Sequence, residues 1–471
     1  MKRIIYTAFT VVFLAGIFGS CSKESLDPIL EQNRLLEEGI NTQQDLFTIV
    51  NGAYDRVTAT AYYGRDYIIY GEVRSDNCWA NGNSGRFVTV GAMDMGASDG
   101  YATDTWTAIY DVIASVNLAI EQDPSTLEGD LDAMNHLKGQ AYALRAMAHF
   151  DLLRLYGQQH VTGGVTPGGI PYITEFKSDN LQPERDEIAD VYSMVQDDLD
   201  MALSLMSEPL NDPRKEFFTT YGVYALKSRV ATYFEDWETA RDAALEILAS
   251  GEFSVIPEGD FVKTWYTDGG VNSIFELAYS NLDNNNINGL SQIYRGAAYG
   301  DVTVLDDLLT IFDATDIRAS AEMIGPDPEG TGDLRNLGKY PSADYSDNIP
   351  IFRYEEAILD YVEALFELGE TPDPSLSTTL LDLLNSIPEN RGASLYTEVN
   401  KDNIMLERRK EFCFEGHRLN DLARTGSDIP LVDPVHQEHG GPEYGSFNYA
   451  FPIPRVEMNA NSKMIQNYGY N

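Results

Sequence analysis

The chain of 471 residues is 43% hydrophobic and 11% aromatic, with 38 Gly and 20 Pro. That is ordinary globular composition and excludes collagen-like, disordered and multi-span membrane classes. Lys and Arg number 33 against 74 Asp and Glu, a formal charge of -41, and a field of that sign repels phosphate backbones, which argues against nucleic acid as a partner.

At the N-terminus Lys2 and Arg3 precede an apolar run over 4–18, then Gly19, Ser20 and Cys21. This reads as an export signal over 1–20, too short for the ~20 residues of a spanning helix. A small-residue site directly before a cysteine reads as a lipobox, with Phe18 where that motif usually has Leu. Cys21 is then acylated and becomes the mature N-terminus, and its acyl chains hold the protein to a membrane. Two further cysteines, Cys78 and Cys413, are too few for a disulfide framework. Cys413, in a predicted helix between Phe412 and Phe414, reads as a small core filler.

Apolar spacing of three and four residues predicts helices over 106–120, 133–156, 188–206, 221–234, 237–248, 353–368, 376–385 and 402–422. Few segments alternate as strands, so the fold class is all-α, mostly helical, in one continuous domain over 21–471. The stretch 217–251 reads as two antiparallel helices breaking at Glu235 and Asp236. The stretch 353–387 repeats that plan, at a unit length near the ~34 residues of a tetratricopeptide repeat. Long irregular stretches, about 62–104, 252–301, 325–350 and 425–454, read as functional loops.

Four local patterns suggest chemistry. Gly96-Ala97-Ser98-Asp99-Gly100 matches a nucleophile elbow, but the predicted helix starts near Thr103, so a hydrolase using Ser98 is the weaker alternative and no catalytic residue is assigned. His436 and His439 lack the H-E-x-x-H spacing of a zinc site. Asn284, Asn286, Asn288 and Gly289 open like a calcium loop, yet Arg295 stands where the bidentate Glu belongs. Neither a metal nor a cofactor is therefore expected. Glu407, Arg408, Glu411, Glu415, Arg418 and Asp421 lie three and four residues apart, predicting a structural ion network paired along one helix.

Trp106 and Trp237 fall on predicted helices and read as core, whereas Trp79 and Trp265 fall in polar loops. Sugar rings pack their C–H faces on indole and phenol rings while amides and guanidinium groups take the hydroxyls. The candidate glycan-binding residues are therefore Trp79 with Asn77 and Asn81, Tyr62 with Tyr63, Tyr101, and Tyr294 with Arg295. Trp265 reads as a ring that plugs its loop onto the helical body.

The order of landmarks along the chain resembles the SusD/RagB family of Bacteroidetes outer-membrane lipoproteins. They are Trp106, Tyr110 and Asn117; Ala141, Leu144, Arg145 and Ala146 leading to Phe150 and Leu155-Tyr156-Gly157; Gly169-Ile170-Pro171; and Trp237 with Ala240. The C-terminal part carries Arg353-Tyr354, Glu356, Glu363-Ala364, Glu407-Arg408-Arg409, Glu411, Glu415-Gly416, Arg418, Asp421-Leu422, Arg424 and Gly426. Ile453-Pro454 with Glu457, Asn459 and Asn461, then Gln466-Asn467 and Gly469-Tyr470, complete the ending. Pro388 stands where the family usually has Arg, predicting a missing local salt link. Ser22-Lys23-Glu24 is similar to the short signal that sends Bacteroidetes lipoproteins to the cell exterior. The resemblance implies a helical SusD-like fold with tetratricopeptide-like pairs. It implies binding of oligosaccharides at the outer membrane as the lid of a SusC-like TonB-dependent transporter, without chemistry on the ligand. Its RagB branch implies peptide as the alternative ligand.

Overall fold

The computed structural model describes residues 39–177, 179–296 and 299–470. Cys21 and the export signal lie outside them. In chain order come α1 (Gln43–Val57), α2 (Asp66–Val73), β1 (Cys78–Ala80), α3 (Val88–Gly91), α4 (Gly100–Ile120) and α5 (Leu131–Tyr156). Next are α6 (Ile188–Leu205), α7 (Thr220–Tyr233), α8 (Trp237–Ser250), α9 (Glu258–Thr264), β2 (Ser273–Leu277), α10 (Leu290–Arg295), β3 (Val302–Val304), β4 (Ile324–Pro326) and β5 (Leu334–Asn336). The chain ends with β6 (Ile349–Arg353), α11 (Tyr354–Leu368), α12 (Leu380–Glu389), α13 (Lys401–Phe412), α14 (Arg418–Arg424) and α15 (Arg455–Ala460).

The helices begin and end on local chemistry. Thr42 and Asp45 form a reciprocal capping box on α1, and Asp130 caps α5 through Ala133 N–H. The turn at Glu235 and Asp236 separates α7 from α8, with Asp236 capping α8, and Gly369 at φ 68° ends α11. These pairs match the predicted plan.

The predicted loop 62–104 contains α2, which sequence reading missed because every one of its eight residues is buried. A helix covered on all sides has no polar face and so shows no amphipathic period. Its Gly71 lies against Gly416, where an added Cβ would sit 2.2 Å from the Gly416 carbonyl oxygen. The predicted helix 402–422 is two helices, because Phe414 and Gly416 adopt φ 72° and 82° between them. Cys413 follows the end of α13 and is buried and free, as is Cys78.

Strands are few but decisive. One sheet has the order β1-β3-β5-β4, and β2 pairs with β6 in a second. Trp106 is core, whereas Trp237 is only partly buried against a small alanine cluster. Trp265 is buried beside Phe261 and Tyr340, with the Lys339 ammonium 5.0 Å from its ring.

The charged cluster is a buried ion network, but it pairs across elements rather than along one helix. Glu411 accepts from Arg353 Nη1 at 2.8 Å, Arg391 Nη2 at 2.9 Å and Arg318 Nη1 at 3.1 Å. Glu415 meets Lys339 at 2.5 Å and Arg353 at 2.8 Å. Arg418 instead pairs with Asp76 at 2.7 Å, and Arg408 bridges Asp360 and Asp421. Within the predicted set, the spacing along the helix therefore does not choose the partners. Three residues beyond Pro388, Arg391 is fully buried and reaches Glu355 at 2.8 Å as well as Glu411.

Candidate functional site

The site is built on β1. Its antiparallel register with β3 sets Cys78 opposite Val304, Trp79 opposite Thr303 and Ala80 opposite Val302. Successive strand residues point to opposite faces, so Cys78 enters the core and Trp79 stands half-buried on the other side. The indole stacks on His436 with centroids 4.2 Å apart and planes at 28°. His436 Nδ1 lies 2.7 Å from Asp433 Oδ2, and that hydrogen bond holds the Asp433 carboxyl below the usual carboxylate value.

The loop after β1 is tied to the loop before β3. Asn81 Nδ2 donates to the Gly300 carbonyl at 2.6 Å and Thr303 Oγ1 at 2.9 Å, while its Oδ1 accepts from Asn83 N–H. Ser84 donates from its backbone and hydroxyl to buried Asp301. Arg86 lies 3.9 Å from the centroid of the Tyr299 ring and donates to Asn288 Oδ1. Asn83, exposed, donates to the Tyr299 carbonyl. The Trp79–His436 pair and the 81–86 loop that continues from β1 form a ledge carrying aromatic, amide and guanidinium groups, the loop being held by hydrogen bonds within the protein. Such a ledge can stack a ring and bond its hydroxyls.

Several predicted contacts are interior. Tyr62, Tyr63, Tyr294 and Asn77 are at most 4% exposed, so they do not face a ligand here. The Tyr62 and Tyr67 hydroxyls both donate to Asp151. Tyr294 donates to the Phe414 carbonyl, and Asn77 bridges Glu72 and Arg409. A tyrosine or asparagine in a polar-looking stretch is as well suited to satisfying a buried carboxylate as to meeting solvent. Tyr101 is partly buried, stacks on Phe87 and accepts its N–H. Arg295 ties the 337–341 turn by donating to the Leu337 and Pro341 carbonyls. Asn81 is a brace under the ledge.

Sequence reading missed Arg86, Tyr299 and His436. Nothing local in the sequence links the 436 loop to Trp79. Ser98 is exposed, but a helical turn, α3, precedes it where the elbow needs a strand, and α4 opens at Gly100. Among the described residues no group of three or more His, Cys, Asp or Glu could hold a metal ion.

Comparison with known proteins decides the family. Residues 26–232 match a SusD-like family model described as starch-binding and associating with the outer membrane, and residues 336–470 match the SusD family model. The chain belongs to the SusD family. SusD-like protein P38 of Formosa agariphila is 25% identical, with the match covering 93% of this chain and 94% of that protein. The starch-binding protein SusD of Bacteroides thetaiotaomicron is 32% identical over a stretch covering 28% of this chain and 22% of its own. A SusD superfamily structure from Bacteroides thetaiotaomicron superposes with a TM-score of 0.82 at 24% identity, covering 90% of this chain and 99% of that one. A surface glycan-binding protein A from Bacteroides fluxus gives 0.74 at 21%, covering 91% and 100%. The helical SusD-like fold is thus shared, and relatives in this family are starch- and glycan-binding proteins by name.

Proposed function

We propose that this SusD-family protein binds an oligosaccharide on the Trp79 ledge and delivers it, as a lid, to a SusC-like TonB-dependent transporter in the outer membrane. The observation that carries the binding site is the partly exposed Trp79 indole, fixed by strand pairing, stacked on His436 and followed along the chain by the loop that carries Asn83 and Arg86. His436 already covers part of one indole face, so sugar stacks on the free part or extends over the Trp79–His436 pair. The starch-binding and glycan-binding descriptions of relatives support the ligand class.

Stacking by one central aromatic dominates such sites, so Trp79→Ala weakens glycan binding by ~2 kcal/mol, about thirtyfold. Because stacking involves little net charge, affinity stays nearly flat between low and moderate salt. A glycan array selects the ligand and calorimetry on the folded variant tests the site; wild-type affinity refutes it. Acylation at Cys21 supplies the anchor, so Cys21→Ala releases the protein into the soluble fraction in a strain lacking the transporter. Continued pelleting with outer membranes refutes the anchor.

A further inference from the structure

A second concavity shares no residue with the Trp79 ledge. A hollow of about 880 Å³ lies where the first turns of α1 and α5 meet the 206–217 connection. A further hollow of about 500 Å³ shares Asp212 with it and continues to Tyr221 and Phe253. Its wall is apolar, with Phe47 and Leu210 37% and 41% exposed. Glu128, Asp212, Glu208 and Glu252 line the furrow together with Lys215, and the Arg214 guanidinium lies 3.9 Å from Asp212. The Lys215 ammonium is already donated to the Gly270 carbonyl and lies 5.1 Å from the Phe253 ring.

Two side chains of α5 in the first hollow are buried and incompletely bonded. His136 and Gln140 are 4% and 5% exposed. Ser207 N–H donates to His136 Nδ1, so the neutral ring carries its proton on Nε2, which has no partner. Gln140 Nε2 donates to the Phe218 carbonyl, leaving Oε1 without a donor. One helical turn therefore offers a spare donor and a spare acceptor side by side, the complement of the C=O and N–H that an extended polypeptide residue presents on one edge.

We infer that this furrow binds an extended, positively charged segment of a partner polypeptide. An apolar side chain of the segment packs on Phe47 and Leu210, its Lys or Arg neighbours lie by Glu128 and Asp212, and its backbone bonds to His136 and Gln140. The acidity and the paired amide complement favour a basic peptide over a sugar.

The test uses a fluorescein-labelled, amide-capped peptide Gly-Lys-Leu-Lys-Phe-Lys-Gly and its Lys-to-Glu twin, read by polarisation against the full chain. The basic peptide binds at least about tenfold more tightly than the acidic one, and salt weakens it. Leu210→Arg, at an exposed position, weakens binding at least about tenfold, Gln140→Met weakens it severalfold, and Trp79→Ala leaves it unchanged. The inference is overturned if neither peptide binds, if both bind equally, or if folded Leu210→Arg and Gln140→Met bind as wild type does. It is equally overturned if Leu210→Arg abolishes self-association or uncharged oligosaccharide binding instead, which would give the furrow to a second copy or to a sugar. Loss of glycan binding in Trp79→Ala with peptide binding intact keeps the two sites separate.

Discussion

Replacing Glu411 with Gln tests whether the buried ion network is a stability element. Burial alone would raise the Glu411 carboxyl, but Arg391, Arg353 and Arg318 outweigh it and hold the group ionised, well below the usual carboxylate range. The substitution keeps the volume and removes the charge that three guanidinium groups share. It also turns an amide N–H₂ toward donors, so at least one of the four contacts from Arg391, Arg353 and Arg318 becomes donor against donor. Breaking a buried pair from one side costs ~3 to 5 kcal/mol. With an unfolding entropy of ~2 cal/mol/K per residue over a chain this long, each kcal/mol is worth about 1 °C, so Tm falls by about 3 to 5 °C. Scanning calorimetry reads this directly. A Tm within a degree of wild type would refute the reasoning, as would loss of glycan affinity in the folded variant, since the network lies under the fold and not on the ledge.

Acid stability follows from Glu363, whose carboxyl burial would raise but which Arg424 draws down to about 2. Its folded value lies below the unfolded one, so its contribution is fully present above about pH 4.5 and is lost as pH falls toward 2. Glu363→Gln should therefore lower Tm at pH 7 by the equivalent of about 3 kcal/mol and flatten the Tm profile between pH 5 and 2; an unchanged acid profile would contradict this. Gly71→Ala drives a Cβ into the Gly416 carbonyl, where the neighbour is backbone and cannot rotate away, and destabilises by about 3 kcal/mol. Chemical denaturation checks it, and a neutral result would mean that α2 and the 413–416 turn shift apart freely.

Long helices whose apolar residues recur every three or four positions were legible from sequence alone: α5 through α8 and α11 fall close to where the spacing predicts them. So were turns with local chemistry, such as Asp236 and Gly369, and the structural nature of the Glu407–Asp421 charges. What sequence could not supply was everything that depends on a partner distant in the chain. α2 is hidden because its eight residues, all buried, are too few and too evenly covered to show a period. Tyr62, Tyr294 and Asn77 look like surface residues until Asp151, the Phe414 carbonyl and Glu72 claim them. Trp79 was identifiable as a loop ring, but only the β1–β3 register turns it outward and only the folded 436 loop sets His436 against it. Composition determines which residues are able to stack, bond or pair; the tertiary structure decides which of them still have that capacity free, because a buried polar group must be satisfied internally before it can serve a ligand.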